Sequence, residues 1–396
     1  MNASHFEPPA ITAFTATSAL GRGLEAHARA LREERSGLRR QAFEDCTLDT
    51  WIGAVDGLEI PLPPQWSDWD CRNHRLAELG LNQDGFVAAV ERARARYGAQ
   101  RVGVFIGTST SGVRETERAY RELREDRLPD WFQHRTMQNT YAVADYVRRR
   151  LALCGPSAAI STACSSSAKV FAAAARALGA GLCDAAVVGG VDSLCLTTLY
   201  GFHALQLVAR DVCRPADAER SGLSLGEAAA FLLLEREAGD ARWRLEGYGE
   251  SSDAHHMSAP DPEGRGAIAA MRAALARARI APQEVDYINL HGTGTPANDL
   301  AEDRALCALF GRDVPCSSTK GWTGHTLGAA GALEAVLSLL ALREGFLPRS
   351  LNTRRKDPRI EGAILMSTRH APLRRVLSNS FGFGGSNCSL LLGVRA

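Results

Sequence analysis

The chain has 396 residues and a formal net charge of +1, from 46 Lys and Arg against 45 Asp and Glu, so nothing global draws it to nucleic acid or to an anionic membrane surface. Its 45% hydrophobic and 23% charged residues are those of a globular protein, and no run approaches the roughly 18–20 apolar residues of a membrane span. The N-terminal residues lack the charged and apolar regions of a signal peptide, and the ten cysteines include no CxxC pair, so the expectation is a cytoplasmic chain of reduced thiols without a zinc or disulfide framework.

In chain order, the first stretch to about Gly98 reads as irregular, with a charged helix over 22–39 and a proline-rich loop around Trp66 and Trp69. Residues 101–106 form a buried strand that runs into the turn-rich Gly107-Thr108-Ser109-Thr110-Ser111-Gly112. A charged helix follows, carrying Arg114, Arg118, Arg121, Arg124 and Arg127, and reads as a solvated face. The apolar run 157–161 is a strand that leads through Cys164 and three serines into an Ala-rich helix over 168–178. Strands at 185–190 and 228–234 complete the first half. After about residue 245 come a helix over 267–279, a strand over 285–290 and a Gly/Thr turn. A helix over 299–310, a strand over 314–319, a long apolar helix over 327–343 and strands near 376–378 and 388–392 close the chain.

Strands alternating with helices imply a mainly parallel sheet covered on both faces. Each half holds a strand that ends in a reactive residue, Cys164 in the first and His291 in the second. The chain therefore reads as a duplicated α/β unit, with halves 1–245 and 246–396, whose strand ends meet at one site.

Four segments carry the chemistry. They are Ser161-Thr162-Ala163-Cys164-Ser165-Ser166-Ser167, His291-Gly292-Thr293-Gly294-Thr295-Pro296, Lys320-Gly321-Trp322-Thr323-Gly324-His325, and Asn379-Ser380-Phe381-Gly382-Phe383-Gly384-Gly385-Ser386-Asn387. A thiol at a helix start meets unsatisfied N–H groups and the positive end of the helix dipole, which favour the thiolate. On its own segment Cys164 reads equally well as a small buried core cysteine. Two histidines at other strand ends, beside glycine turns that let a substrate approach, favour the nucleophile.

The order and spacing of these segments resemble the β-ketoacyl-acyl-carrier-protein synthases of the thiolase superfamily, the elongating type with a Cys-His-His triad. The match runs from about Arg101 to the C-terminus, and its wording is similar to polyketide-type ketosynthases, so that a specialised polyketide or aryl-polyene member is in view. The resemblance implies a thiolase-like α/β fold, two duplicated halves in an αβαβα sandwich, dimerising across an edge strand near 185–190. It implies an acyltransferase that performs decarboxylative Claisen condensation of an acyl thioester on Cys164 with malonyl-acyl carrier protein. His291 and His325 then stabilise the enolate as Nε2–H donors, and Lys320 pairs with Glu334 beside His325. The backbone N–H groups of Cys164 and Phe383 form the oxyanion hole, the Phe383 ring acts as a gate, and Thr293 and Thr295 hold the phosphopantetheine arm. Glu302, Asp299 and Glu334 support the site, and Asn289, Glu302 and Glu334 are candidates for a monovalent cation, with no other metal expected. No cofactor of its own is implied, because the phosphopantetheine arrives on the acyl carrier protein. The partner is that carrier, with a homodimer or a heterodimer with a chain-length-factor-like ketosynthase subunit as the assembly.

An initiating synthase would carry Asn in place of His325, and a degradative thiolase would place a second cysteine at the C-terminal glycines, where this chain has Cys388 one residue beyond. The match weakens at 10–21, which lacks early glycines, and at 220–230, where alanines stand for glycines. Thr110 resembles the position that sets acyl-pocket depth; a turn threonine bonding locally is the alternative. Arg148-Arg149-Arg150 and Arg354-Arg355-Lys356 could meet an acidic carrier or be solvated charge, and His255-His256 reads as surface loop. Two rival functions stay open, a subunit inert without a second ketosynthase-like chain and an acyltransferase or decarboxylase that does not extend the chain.

Overall fold

The computed structural model describes residues 6–40, 43–237 and 239–395. Residues 1–5, part of the segment read above for a targeting signal, lie outside it. Five strands make the first half: β1 (Ala10–Ser18), β2 (Val102–Gly107), β3 (Ser157–Ile160), β4 (Ala185–Asp192) and β5 (Ala228–Glu235). Five more make the second: β6 (Trp243–Ser252), β7 (Tyr287–Asn289), β8 (Pro315–Ser317), β9 (Arg375–Gly382) and β10 (Ser386–Val394).

The first sheet has the order β3-β2-β4-β5-β1 and the second β8-β7-β9-β10-β6, the same permutation of chain order. Their directions repeat too. β2 is parallel to β3 and β4, while β5 is antiparallel to β4 and β1. In the same way β7 is parallel to β8 and β9, and β10 is antiparallel to β9 and β6. A short strand, Ala363–Ile364, extends the second sheet beyond β8. The halves join where β1 meets β6 through Ala10↔Arg244 and Ile11↔Trp243. The division drawn at residue 245 falls inside β6.

Two helices fill the space between the sheets, α1 (Ser166–Gly179) and α2 (Ala330–Glu344). Strand alternation shows why. Along β5, Ala228, Ala230, Leu232 and Leu234 face the central helices, whereas Ala229, Phe231 and Leu233 face outward. The outward face is covered by helices Arg72–Leu81, Phe86–Tyr97 and Ala142–Arg150. Helices Arg265–Ala278 and Pro296–Phe310 cover the outer face of the second sheet. Strands buried on both faces need the near-continuous apolar runs seen in the sequence, and α2, sandwiched on all sides, is apolar all round but for Glu334 and Ser338 in its buried part. The layers are αβαβα.

Several expectations need correction. Residues 185–190 do not lie at an edge: β4 is fully buried and hydrogen-bonded on both sides, to β2 and β5. The edge strand of that half is β3, whose residues are half-exposed. An uninterrupted apolar run marks an interior strand, and the short Ser-Ala-Ala-Ile run marks the rim. The first hundred residues are not irregular, since they contain β1 and helices Arg72–Leu81 and Phe86–Tyr97. The charged helix ends at Arg32 rather than 39, and Pro64–Trp69 is a 3₁₀ helix.

Candidate active site

Cys164 stands between β3 and α1, two residues before the first helical residue, with Ser165 as the N-cap. Ala163 before it has φ +50°, a left-handed conformation that costs an alanine energy. The chain thus makes a sharp strand-to-helix turn that thrusts the thiol out at the strand end, the logic of a nucleophile elbow. In the second half His291 follows β7, and Gly292 after it has φ +38°. His325 sits ahead of α2, its own N–H donating to Ser224 (2.8 Å) and its carbonyl accepting from Gly226 N–H (3.0 Å). The first half therefore anchors a histidine supplied by the second.

The three side chains converge. Cys164 Sγ lies 2.9 Å from His325 Nε2. The His291 and His325 rings meet edge to face at 5.4 Å. Lys320 lies underneath, its ammonium donating to the His291 carbonyl and to Glu334 and standing 3.5 Å from His291 Nδ1. It thus touches His291 rather than His325, whose ring it reaches only through its charge.

Burial decides the protonation states. It pushes the Cys164 thiol up to about 11, against the opposing pull of the Lys320 charge and of the Phe383 N–H. Against the thiolate expected from the helix start, Cys164 is 5% exposed and burial, the largest cause acting on the thiol, favours the protonated form. Both histidines are held well below 6.5, by burial first and the Lys320 cation second, and are neutral imidazoles. An ammonium has donors only, so the His291 Nδ1 facing it is the unprotonated nitrogen and Nε2 carries the proton. Nothing among the described residues bonds His325 Nδ1, leaving that ring free to change tautomer.

The other predicted residues frame these three. Glu302 accepts the N–H groups of His291 and Gly292, each at 2.8 Å, and burial pushes its carboxyl up to about 7. Asp299 accepts the Gly294 N–H and pairs with buried Arg220; burial raises its pKa. Glu334 is likewise pushed up to about 7 by burial, against the pull of Lys320. Thr293 and Thr295 place their hydroxyls 2.9 Å apart. Of the residues named for a monovalent cation, Glu302 accepts backbone N–H groups and Asn379, Glu334 accepts Lys320 through Oε1 while its buried Oε2 has no partner among the described residues, and Asn289 Oδ1 lies 3.5 Å from the Thr319 hydroxyl.

A cavity of about 190 Å³ opens onto Cys164, His291 and His325, and Thr293, Thr295 and Phe383 line its approach. The Phe383 ring packs at 5.5 Å on that of Phe202. Sequence reasoning missed Phe202, Leu207, Leu223 and Asn298 on its walls; they lie in segments with no turn or charge signature. Thr110 is not on the cavity wall. Its N–H and hydroxyl donate to Asp192, each at 2.9 Å, so it caps a buried carboxylate, the local bonding named as the alternative. His255 and His256 are exposed as expected. Arg148 and Arg149 pair with Asp145, Arg150 with Glu78, Arg121 with Asp45 and Arg355 with Glu219.

Among the described residues no helix is long and apolar enough to cross a membrane. Residues 81–239 match the model of the β-ketoacyl synthase N-terminal domain, and residues 243–354 that of the C-terminal domain. The chain is 31% identical to the mitochondrial 3-oxoacyl-[acyl-carrier-protein] synthase of Arabidopsis thaliana, over 96% of this chain and 92% of that one. It is 32% identical to 3-oxoacyl-[acyl-carrier-protein] synthase 2 of Vibrio harveyi, over 96% and 97%. A chain from the solved complex of a ketosynthase with its chain length factor from Xenorhabdus doucetiae superposes with a TM-score of 0.90, at 39% identity and full coverage of both chains. With a paired fold, a thiol and two neutral imidazoles at its strand ends, and relatives along its whole length, this chain belongs to the β-ketoacyl synthase family of acyltransferase-type enzymes.

Proposed function

We propose that this chain extends an acyl chain by decarboxylative condensation, Cys164 holding the acyl group while malonyl-acyl carrier protein supplies the carbanion. The observation that carries the reading is the 2.9 Å contact between Cys164 Sγ and His325 Nε2, with His291 beside it on one cavity. A thiol held up to about 11 attacks only as its proton leaves, and His325 Nε2 is the acceptor within reach. The proton passes on to the departing pantetheine thiolate, and the tetrahedral oxyanion rests on the N–H groups of Cys164 and Phe383. When malonyl thioester replaces the spent carrier, its carboxylate leaves as carbon dioxide. The enolate oxygen that forms is met by the Nε2–H of His291, the tautomer that Lys320 favours, and by that of His325. The carbanion then attacks the Cys164 thioester, a C–C bond forms as the C–S bond breaks, and the expelled thiolate takes a proton from solvent to return the thiol. Neutral donors suit this step, because a charged imidazolium would protonate the enolate it should steady.

Thr293 and Thr295 reach the pantetheine arm, which comes with the carrier protein; no resident cofactor takes part. All ten cysteines are free, in keeping with work in a reducing cytoplasm. The 39% identity to a chain of the Xenorhabdus doucetiae ketosynthase–chain length factor complex supports a second, chain-length-factor-like chain as partner. In that reading β3 provides the pairing edge. Intact-mass analysis tests the function. Acyl-acyl carrier protein should load one acyl group on Cys164, the Cys164→Ala variant should load none, and malonyl-acyl carrier protein should then yield a carrier-bound product two carbons longer. Loading without the two-carbon gain, with or without a partner subunit, points instead to acyl transfer without extension.

A further inference from the structure

The resting site assembles the donor set of a transition-metal centre. Cys164 Sγ and one ring nitrogen each from His291 and His325 lie within 4.8 Å of one another, all buried, and no other three His, Cys, Asp or Glu side chains among the described residues come so close. One thiolate and two imidazoles, with a fourth position open, make the kind of ligand set that zinc takes in its open sites. The soft sulfur favours zinc or copper(I) over magnesium or calcium. Sequence spacing conceals this, because the three ligands come from three separate strand ends rather than from a CxxC or HxxxH pair.

The geometry needs small adjustments only. Tetrahedral zinc, with bonds of about 2.3 Å to sulfur and 2.0–2.1 Å to nitrogen, holds its donors about 3.3–3.6 Å apart. The 2.9 Å Sγ–Nε2 contact must widen by about half an ångström, and the longest separation must close by about one. The cavity that all three residues line gives an ion its path in and a water its place at the fourth position. Lys320 opposes the His291 bond, which needs the proton on Nδ1. Its ammonium is 3.5 Å from that nitrogen but keeps two nearer acceptors, the His291 carbonyl and Glu334, so moving the proton to Nδ1 gives up only that long contact.

We propose that zinc binds Cys164, His291 and His325 in the unacylated protein, and that metal and acyl group exclude each other. The S–H bond breaks, its proton leaves to solvent, and an S–Zn bond forms; no oxidant or reductant is involved. A thioester sulfur has no charge to offer and its acyl group fills the open position, so the loaded protein does not take the ion. The site thereby has a metal-bound resting state from which the nucleophile is withheld. This inference rests on the arrangement of donors, not on the condensation.

The test is titration of the metal-free full chain with cobalt(II), a coloured stand-in for zinc, in a Cys46→Ser, Cys154→Ser, Cys307→Ser background that removes the thiols not fully buried. The expected result is a thiolate-to-cobalt charge-transfer band that saturates at one equivalent and is displaced by zinc. The band is lost when iodoacetamide has capped Cys164, and lost in Cys164→Ala. Absence of the band, or its survival after capping, would overturn the proposal. Failure of the chain-extension assay leaves this titration untouched, so the two readings fail separately.

Discussion

Cys164 is stored as a thiol, and that distinguishes its chemistry from a nucleophile kept as a thiolate–imidazolium pair. Below a pKa of about 11 the thiolate fraction rises tenfold per pH unit. Alkylation of Cys164 by iodoacetamide, followed on its peptide by mass spectrometry, should therefore climb about tenfold per unit from pH 7 to 9.5 without levelling; a plateau reached in acid would mean a stored ion pair. The histidines answer to Lys320. Its cation helps hold both below 6.5, so in Lys320→Met their pKa values move back up and the imidazoles charge as pH falls. Burial, the larger cause, still holds them below 6.5, so the acid limb of that variant's condensation rate should lie below pH 6.5 but at a higher pH than the wild type's; coincident limbs would mean that Lys320 does not set the charge of the histidines. The identities of these residues were legible, because thiol and imidazoles each sit beside a glycine-rich or serine-rich turn. Their protonation states were not. The string around Cys164 announces a helix start but says nothing of how deeply β3, α1 and Phe383 bury the sulfur, and depth reverses the sign of the shift.

Two helices set the distance between the halves of the site. α1 begins just after Cys164 and α2 just after His325, and they cross where Gly331 meets Ala168. A Cβ on Gly331 would lie 2.6 Å from the Ala168 backbone nitrogen, closer than atoms can approach. Gly331→Val should force the helices apart, lowering stability by about 1–3 kcal/mol in urea unfolding. It should also slow acylation of Cys164 at least tenfold, since the 2.9 Å Sγ–Nε2 contact spans that crossing. Loss of stability with acylation intact would mean that the crossing does not position the pair. The two helices were legible as an Ala-rich and a fully apolar run. The second was begun too early, because Leu327–Ala329 is a 3₁₀ turn with Leu327 at φ +53°, a break that an apolar string does not announce. The helix over Phe86–Tyr97 was missed although Phe86, Val90 and Ala93, its buried residues, stand at i, i+4 and i+7.

At the scale of the molecule, the repeat explains both where the site is and where a partner would join. Each five-stranded sheet opens at one rim. In the second half a short strand, Ala363–Ile364, covers it, while in the first half β3 has no neighbour beyond it among the described residues. The Val104 N–H donates to the Pro156 carbonyl and the Thr108 N–H to the Ile160 carbonyl. In a parallel ladder this leaves Ser157 and Ala159 with their own N–H and C=O turned away from β2. An outward row of unpaired backbone groups, half-buried and uncharged, is a template for another strand. A ketosynthase-like second chain seated there would lie one short turn from Cys164, so assembly and acyl loading would be coupled through the same elbow. Proline at position 159 removes the outward N–H and spares every bond to β2. Ala159→Pro should therefore weaken self-association, or association with a partner subunit, by tenfold or more in sedimentation, with an unchanged circular dichroism spectrum. An association constant equal to wild type would place the interface on another face and leave β3 a bare rim.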